Sequence, residues 1–286
     1  KDGPYDVMVI DTAPTADTLR LLSFPDALGW YFEKIFNVQR KLMRIARATV
    51  GRVMSTPLPS DAVFAQAHDI FGRLSRARDV LTDPKTTSVR LVMNPERMVI
   101  NETKRAFTYL ALYGFNVDSI VVNRIMPKES GAYFAPALEE QAKHLKEIDS
   151  SFATLQQFKI PRYQQEVIGV ARLDELAASL YDSGKIDPTR KFATEGPLKF
   201  HSRGDQEIME LRMPFLEERK LDIYAKGDTL FITIGGFKRN MILPQSLVGA
   251  EVVGAEYDGE KLQVKFRGER AREVEMKRKN LKKKAN

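Results

Sequence analysis

Three apolar segments of the sequence each end in a polar side chain that could bind a ligand. Residues 7–10, 89–93 and 119–122 are short runs rich in β-branched residues, and Asp11, Asn94 and Asn123 follow them. A carboxylate accepts hydrogen bonds and attracts cations, whereas an amide both donates and accepts. Ligands of open α/β sheets sit beyond the carboxyl ends of the strands. We therefore expect the three side chains to face one shared crevice.

The elements that would position these side chains are parallel strands alternating with helices. A helix-length segment follows each apolar run, as is typical of buried parallel strands in an α/β domain. A long insert, residues 24–83, separates the first two runs. Its first helix carries a wide apolar face, and two interpretations stay open: the face binds a hydrophobic partner, or it packs on the next helix, around residues 63–81. The apolar positions include Leu28, Tyr31, Ile35, Val38, Leu42 and Ile45.

The pattern changes near residue 200, where strands with period-two alternation begin. Turn sequences at residues 226–228, 235–236 and 258–259 interrupt the alternation, which predicts antiparallel hairpins in a small β-sandwich. The run SGKIDPTRKFATEGP, residues 183–197, is rich in turn residues and is typical of an interdomain connection. We place the first domain at 1–196, a linker at 197–205, the sandwich at 206–267 and a basic tail at 268–286.

Composition and charge exclude several classes of protein. The chain has no cysteine, and its three histidines lie far apart, which argues against thiolate sites, zinc enzymes and histidine-dependent triads. No apolar run approaches the roughly 20 residues that cross a bilayer, and the N-terminus is not a leader, so we expect a soluble cytoplasmic protein. The net charge is +7, and residues 267–286 hold nine Lys or Arg against three Glu. We interpret this tail as a solvated segment, with a weak contact to lipid headgroups or RNA as the alternative, and expect no specific nucleic acid.

A longer signature identifies a family resemblance. Residues 11–15 (DTAPT), followed by residues 18–22 (TLRLL), resemble the switch II signature of the arsenical pump-driving ATPases and of the related ATPases that target tail-anchored membrane proteins. Many members carry Gly-His where this chain has Ala16-Asp17. Residues 92–127 and 160–177 are similar to later segments of that family, and the sandwich looks like the α-crystallin-type domain that some bacterial members carry. The resemblance implies a partial P-loop NTPase parallel sheet with a helical insert, followed by an all-β sandwich.

The resemblance also implies roles for particular residues. ATP and Mg²⁺ would be the cofactors. Asp11 would hold a water of the Mg²⁺ shell, and Thr12 and Thr15 would belong to the loop that senses the γ-phosphate, with no side chain binding the metal directly. Glu96 and Asn123 would bind the nucleoside, and Pro161 would pack on the base. From the residues alone, structural interpretations stay open: turn residues at Asp11 and Asn123, a first-turn residue at Glu96, a helix N-cap at Thr15 and a structural proline at Pro161.

The sequence lacks the phosphate-binding loop that the resemblance requires. A P-loop combines glycines with a lysine and a hydroxyl residue, and no such pattern occurs in the 286 residues; IGGFKRN lacks the hydroxyl and falls in the predicted sandwich. We therefore expect the P-loop and the switch I aspartate to lie upstream of Lys1, and this portion to be inactive alone.

The family role implied is a dimeric, ATP-driven switch acting with a membrane pump subunit or a hydrophobic client helix. Members that bridge their dimer with zinc use a Cys-x-x-Cys in the region that reads AYFAPALEEQ here, so any homodimer would form without that metal. The alternative function is a non-catalytic interaction module that uses the apolar insert and the sandwich.

Overall fold

The computed structural model describes residues 4–12, 61–204 and 206–267. The chain divides into two compact units, one formed by Lys1–Thr15 and Asp83–Gly196, the other by Ala16–Thr82 and Pro197–Asn286. Helix α1, Asp61–Thr82, is the described part of the predicted insert. The residues of the first helix predicted in the insert, with Thr15, Ala16-Asp17 and the predicted basic tail, lie outside the described residues.

The first unit is built on a three-stranded parallel sheet. Strands β1 (Val89–Met93), β2 (Val117–Ile125) and β3 (Gln156–Pro161) lie in that order, and both pairings are parallel. Helices α2 (Arg97–Leu112) and α3 (Ala135–Ser151) connect them, and α4 (Val170–Leu180) follows β3. The strands predicted at 89–93 and 119–122 are confirmed.

The core of this unit lies between the sheet and the helices. Ile120 and Val122 on β2, Ile100 and Leu112 on α2 and Ile148 on α3 are all fully buried. Helix α2 buries a stripe because its apolar residues recur at three- and four-residue spacing, whereas α3 buries only Ile148. That packing fixes where the strands end, and so where their polar terminal residues lie.

The prediction of a strand at residues 7–10 is wrong. The described segment 4–12 has no strand, and Val7, Met8, Val9 and Ile10 are between 51% and 88% exposed. A strand needs a neighbour to pair its N–H and C=O groups. Among the described residues, the sheet of this unit consists of β1, β2 and β3, and none of them pairs with this segment.

The second unit contains two antiparallel sheets, as the alternation predicts. The strands are β4 Leu198–Arg203, β5 Gln206–Arg212, β6 Leu221–Lys226, β7 Thr229–Ile234, β8 Phe237–Ile242, β9 Glu251–Tyr257 and β10 Lys261–Arg267. A four-stranded sheet has the order β4-β5-β10-β9 and a three-stranded sheet the order β6-β7-β8. These sheets bury apolar side chains such as Met209, Ile232, Val264 and Phe266.

The two predicted connections differ from the structure. Residues 197–205, expected to be a linker, contain β4, which pairs along its length with β5. Residues 182–196 form a segment, named here the closing segment, that is attached to the parallel sheet by hydrogen bonds. The Asn116 side chain donates to the Ala193 carbonyl at 2.5 Å, and the Phe192 N–H donates to the buried Asp118 carboxylate at 3.1 Å. Turn residues indicate an irregular backbone but not whether the sheet binds it.

Arg90 completes the attachment of the closing segment. Its guanidinium donates to the Arg190 carbonyl at 2.9 Å, lies 3.7 Å from the Asp118 carboxylate and covers the Phe192 ring at 5.2 Å. The Phe192 ring also packs against Phe158 of β3, with their centroids 5.4 Å apart. The closing segment is therefore an integral part of the first unit.

No helix among the described residues combines the length and the apolar character that crossing a bilayer demands.

Candidate functional site: a cleft at the carboxyl edge of the parallel sheet

A cleft of about 1140 Å³ lies at the carboxyl ends of the three parallel strands. The loops after β1, β2 and β3 line it, together with side chains from α3 and α4. Asn94, Glu96, Asn123 and Pro161 are all among the lining residues. The sheet therefore brings together all three residues proposed to bind the nucleoside, and the asparagine that ends β1, as the topology of parallel strands leads one to expect.

Glu96 occupies the N-cap position of α2 without acting as a side-chain cap. Its backbone is extended, with φ −126° and ψ 137°, and its carboxylate makes no capping hydrogen bond. The Asn94 side-chain amide donates to its Oε1 at 3.5 Å. The exposed carboxylate is therefore available to accept hydrogen bonds from a hydroxyl or amine of a ligand.

Asn123 ends the regular part of β2 at an irregularity. The β2–β3 register shifts between Val122 and Ile125, and Arg124 has a left-handed φ of 56°. The Asn123 Oδ1 accepts the Arg124 N–H at 2.8 Å. One role of Asn123 is therefore to stabilise this turn, while its Nδ2 group stays available as a donor to a ligand. The turn interpretation and the binding interpretation are compatible.

Pro161 begins the loop that forms one wall of the cleft. The Arg162 N–H donates to the Ile125 carbonyl at 2.7 Å, which ties the end of β3 to the end of β2. Residues 162–168 then run along the cleft, and α4 begins after Gly169, whose φ of 86° favours glycine. Leu176 of α4 contributes an apolar surface to the cleft.

Three polar residues of α3 also line the cleft, and the sequence does not single out two of them, Gln141 and His144. The Gln141 side chain accepts the Met126 N–H at 2.7 Å and donates to the Met126 carbonyl at 3.1 Å, so it holds the chain that leaves β2. The His144 ring lies with Nδ1 3.0 Å from the Pro95 carbonyl, which requires a proton on that nitrogen. Both residues fix loops of the cleft. In the sequence, the only indication of these two roles is that each residue occupies a polar position on an ordinary amphipathic helix.

Neither of the two described residues predicted to handle the metal and the γ-phosphate lines the cleft. Asp11 and Thr12 are exposed in the irregular segment 4–12, and neither is among the described residues that line the cleft. Thr15 lies outside the described residues. The cleft thus has chemistry suited to a ligand with hydroxyl, amine and ring groups, supplied by amides, a carboxylate and apolar walls.

Comparisons with known proteins agree with the resemblance in the sequence. Residues 1–182 match the model of the family described as anion-transporting ATPase, and residues 204–266 match an HSP20-like domain found in ArsA. The second match confirms the α-crystallin-type domain predicted for the sandwich.

Several curated relatives are similar over most of the chain. A putative arsenical pump-driving ATPase of Prosthecochloris vibrioformis is 37% identical over 268 residues, which cover 92% of this chain and 66% of the relative. Putative arsenical pump-driving ATPase 1 of Aquifex aeolicus is 33% identical, covering 92% and 67%. An ATPase ASNA1 homolog of Trypanosoma cruzi is 33% identical over 194 residues, covering 64% and 52%. The chain spans about two thirds of the length of the two bacterial relatives. The chain belongs to the anion-transporting ATPase family, and an HSP20-like domain follows its ATPase part.

Proposed function

We propose that this chain contributes the nucleoside-binding cleft of an ATPase. The observation that carries the proposal is the convergence of Asn94, Glu96, Asn123 and Pro161 on one cleft at the carboxyl edge of the sheet. The amide of Asn123 would donate to an acceptor on the base edge, the carboxylate of Glu96 would accept from a hydroxyl or amine, and Pro161 would cover the face of the base.

Mg²⁺ would accompany ATP in the complete site. The ion keeps several waters and takes few protein ligands, so a single carboxylate such as that of exposed Asp11 is a chemically suitable partner. Among the described residues, no group of three or more His, Cys, Asp or Glu is arranged to hold a metal ion. Mg²⁺ would supply charge neutralisation at the phosphates.

The wider role we propose follows from the family. ATP would drive a homodimeric switch that acts in the cytoplasm with a membrane pump subunit or a hydrophobic client helix. The names of the relatives support the ATPase role, and those described as arsenical pump-driving ATPases support the version with a pump. Dimerisation, the partner and the location stay predictions.

The nucleoside part of the proposal can be tested on the 286-residue chain. Binding of adenosine would be followed by ligand-detected NMR, which registers weak complexes, for the wild type and for Asn123→Asp and Asn123→Ala. The Asn123→Asp variant keeps an oxygen for the Arg124 N–H but loses the amide donor. We expect both variants to weaken adenosine binding by about tenfold, since a lost hydrogen bond in a site costs about 1.5 kcal/mol.

A matched control separates binding from folding. Asn101→Asp changes an exposed asparagine on α2 that does not line the cleft and should leave adenosine binding unchanged. If Asn123→Asp binds adenosine as well as the wild type while Asn123→Ala is less stable, Asn123 acts only in the turn. If the wild type shows no contact with adenosine at any concentration, the cleft is not a nucleoside site and the interaction module becomes the better interpretation.

A further inference from the structure

The four-stranded sheet of the second unit has one buried face and one charged face. Leu262, Val264 and Phe266 of β10 are fully buried. Successive side chains of a strand point to opposite faces, so the residues that alternate with these three, and the residues paired with them across the sheet, point away from the core. The cations on that outward side, called the basic face below, are Lys199, Arg203, Arg212, Lys261, Lys265 and Arg267.

Positive charge is concentrated on the basic face. Residues 198–267 carry eleven Lys or Arg and eleven Asp or Glu, so their net charge is zero. Six of those cations but only three of the carboxylates, Glu210, Glu251 and Glu256, lie on the basic face. Glu260, just before β10, pairs with Arg212 at 3.2 Å and lowers the surplus from three charges to two. A neutral stretch of chain therefore presents a positive surface on one side of a sheet.

The edge strand β4 makes part of this charge accessible. Lys199, His201 and Arg203 are all exposed and point outward from the same strand. Within the part of the chain that the structure describes, Arg203 forms no ion pair and no side-chain hydrogen bond. An anion approaching β4 would therefore meet the Arg203 guanidinium without having to displace a described carboxylate from it.

Cross-strand pairs hold the lysines of β10 upright on the same face. Lys261 lies 3.0 Å from the Glu210 carboxylate, and Lys265 pairs with Glu256. Both pairs are partly exposed, and pairs of that kind contribute little to stability. Anionic groups arriving from solvent can therefore share or replace these carboxylates at small cost.

The shape and composition of the basic face suit a bilayer surface. Its four strands of six or seven residues cover about 20 Å by about 15 Å. The outward positions hold no Phe, Tyr or Trp, and their one large apolar side chain, Ile208, is buried. Single-stranded nucleic acid is bound largely through aromatic stacking, and a duplex through an element that enters a groove. A broad array of cations without either feature matches a surface that presents many phosphates side by side.

We propose that the basic face docks on the anionic phospholipid headgroups of a membrane surface. The negative potential of such a surface attracts clustered Lys and Arg side chains, which donate charge-assisted hydrogen bonds to the phosphates. The contact is reversible, because no exposed apolar side chain on this face can enter the hydrocarbon. The inference adds a lipid contact to the proposed role beside a membrane pump, and it requires neither nucleotide nor the cleft.

Vesicle flotation of the 286-residue chain tests the inference. Vesicles of phosphatidylcholine alone would be compared with vesicles of equal parts phosphatidylcholine and phosphatidylglycerol. We expect the chain to float with the mixed vesicles and not with phosphatidylcholine alone. Raising the salt from about 0.1 M to about 1 M should release it, because the Debye length falls from about 10 Å to about 3 Å.

Charge variants locate the contact on the chain. Lys199→Glu with Arg203→Glu should weaken binding to the mixed vesicles at least about tenfold. Arg203→Gln alone, which removes no ion pair among the described residues, should weaken it about fivefold. Lys226→Glu with Lys238→Glu is the matched control: it makes the same change in net charge on two exposed lysines of the three-stranded sheet and should have little effect.

A charge-conserving pair and a folding check complete the set. Lys199→Arg with Arg203→Lys should bind the mixed vesicles as the wild type does. Urea unfolding of each variant would show that the sandwich stays folded, and Arg203→Gln supplies the decisive comparison if the double Glu variant does not fold.

Three results would overturn the inference. If the variants of the basic face bind as the wild type does, another part of the chain, such as the basic residues 268–286, carries the contact. Equal binding to both kinds of vesicle would mean that anionic headgroups are not recognised. A single-stranded RNA oligonucleotide that binds more tightly than the mixed vesicles, and loses affinity in the same variants, would assign the face to nucleic acid. Adenosine binding should be the same in all variants, so failure of the lipid contact leaves the nucleoside proposal standing.

Discussion

Asp118→Ala should detach the closing segment, residues 182–196, from the parallel sheet. The Asp118 side chain is completely buried. Its carboxylate accepts hydrogen bonds from the Phe192 N–H at 3.1 Å and the Ser119 hydroxyl at 3.0 Å, and it lies 3.7 Å from the Arg90 guanidinium. Removing it leaves the part-buried Phe192 N–H without its acceptor and Arg90 without its counter-ion.

The cost can be bounded from these contacts. Breaking a buried ion pair by removing one partner costs about 3–5 kcal/mol. Arg90 is 26% exposed and can recover part of its hydration, which favours the lower end of that range. We therefore expect a loss of about 3 kcal/mol in the free energy of unfolding of the first unit. Asp118→Asn should lose less, because its amide oxygen can still accept the Phe192 N–H.

Hydrogen exchange measures the effect at the point of attachment. Where exchange follows local opening, about 3 kcal/mol corresponds to roughly a hundredfold faster exchange of the Phe192 amide. Asp149→Ala is the matched control: its ion pair with Lys159, at 2.7 Å, is about half exposed on both sides, and such pairs contribute about 1 kcal/mol or less. Equal exchange at Phe192 in the two variants would refute the reasoning.

Two further predictions concern the hairpins of the second unit. Tyr257→Phe should lower the stability of the sandwich by about 1–2 kcal/mol, measured by urea unfolding, because the phenol accepts the Leu216 N–H and donates to the Met213 or Gly259 carbonyl. Burial raises the pKa of Tyr257 above its usual 10.0, so the stabilisation from its phenol is present below pH 10.0 and is lost as the pH rises through the raised pKa. If the stability difference between wild type and Tyr257→Phe stayed the same above that pKa, the prediction would be wrong. Asp258→Ala should lower the thermal midpoint at neutral pH, because hydrogen bonds from the Glu260 and Lys261 N–H groups lower the pKa of Asp258 from 3.8. This stabilisation is present above pH 3.8 and is lost as the pH falls through the lowered pKa, so wild type and variant should converge in acid.

The sequence predicts those helices and strands whose conformation is determined by residues close to them in the chain. The strands at 89–93 and 119–122 follow from β-branched runs next to helical segments, and the sandwich follows from alternation between turn signals. Parallel topology then places the residues after each strand at one edge, which is why Asn94, Glu96, Asn123 and Pro161 could be expected together. No distance had to be known for that expectation.

Features that depend on partners distant in the chain could not be predicted in this way. Residues 7–10 have the composition of a buried strand, but the composition cannot supply the neighbouring strand that pairing requires. The closing segment has turn composition, yet Asn116 and Asp118 bind it from about 75 residues away. Arg124 gives no signal at all, since an arginine in a left-handed conformation is not distinguishable in sequence from one in a strand.

The closing segment also bears on how this architecture could be divided or recombined. The ATPase family match ends at residue 182, whereas the contacts that complete the first unit continue to Ala193 and the unit itself to Gly196. A gene fusion or fission at residue 182 would therefore expose Phe158 and leave the Asp118 carboxylate without its backbone donor. The physical boundary between the first unit and the sandwich lies between Gly196 and Pro197. Exchanging sandwiches among relatives should succeed at that boundary and fail some dozen residues earlier.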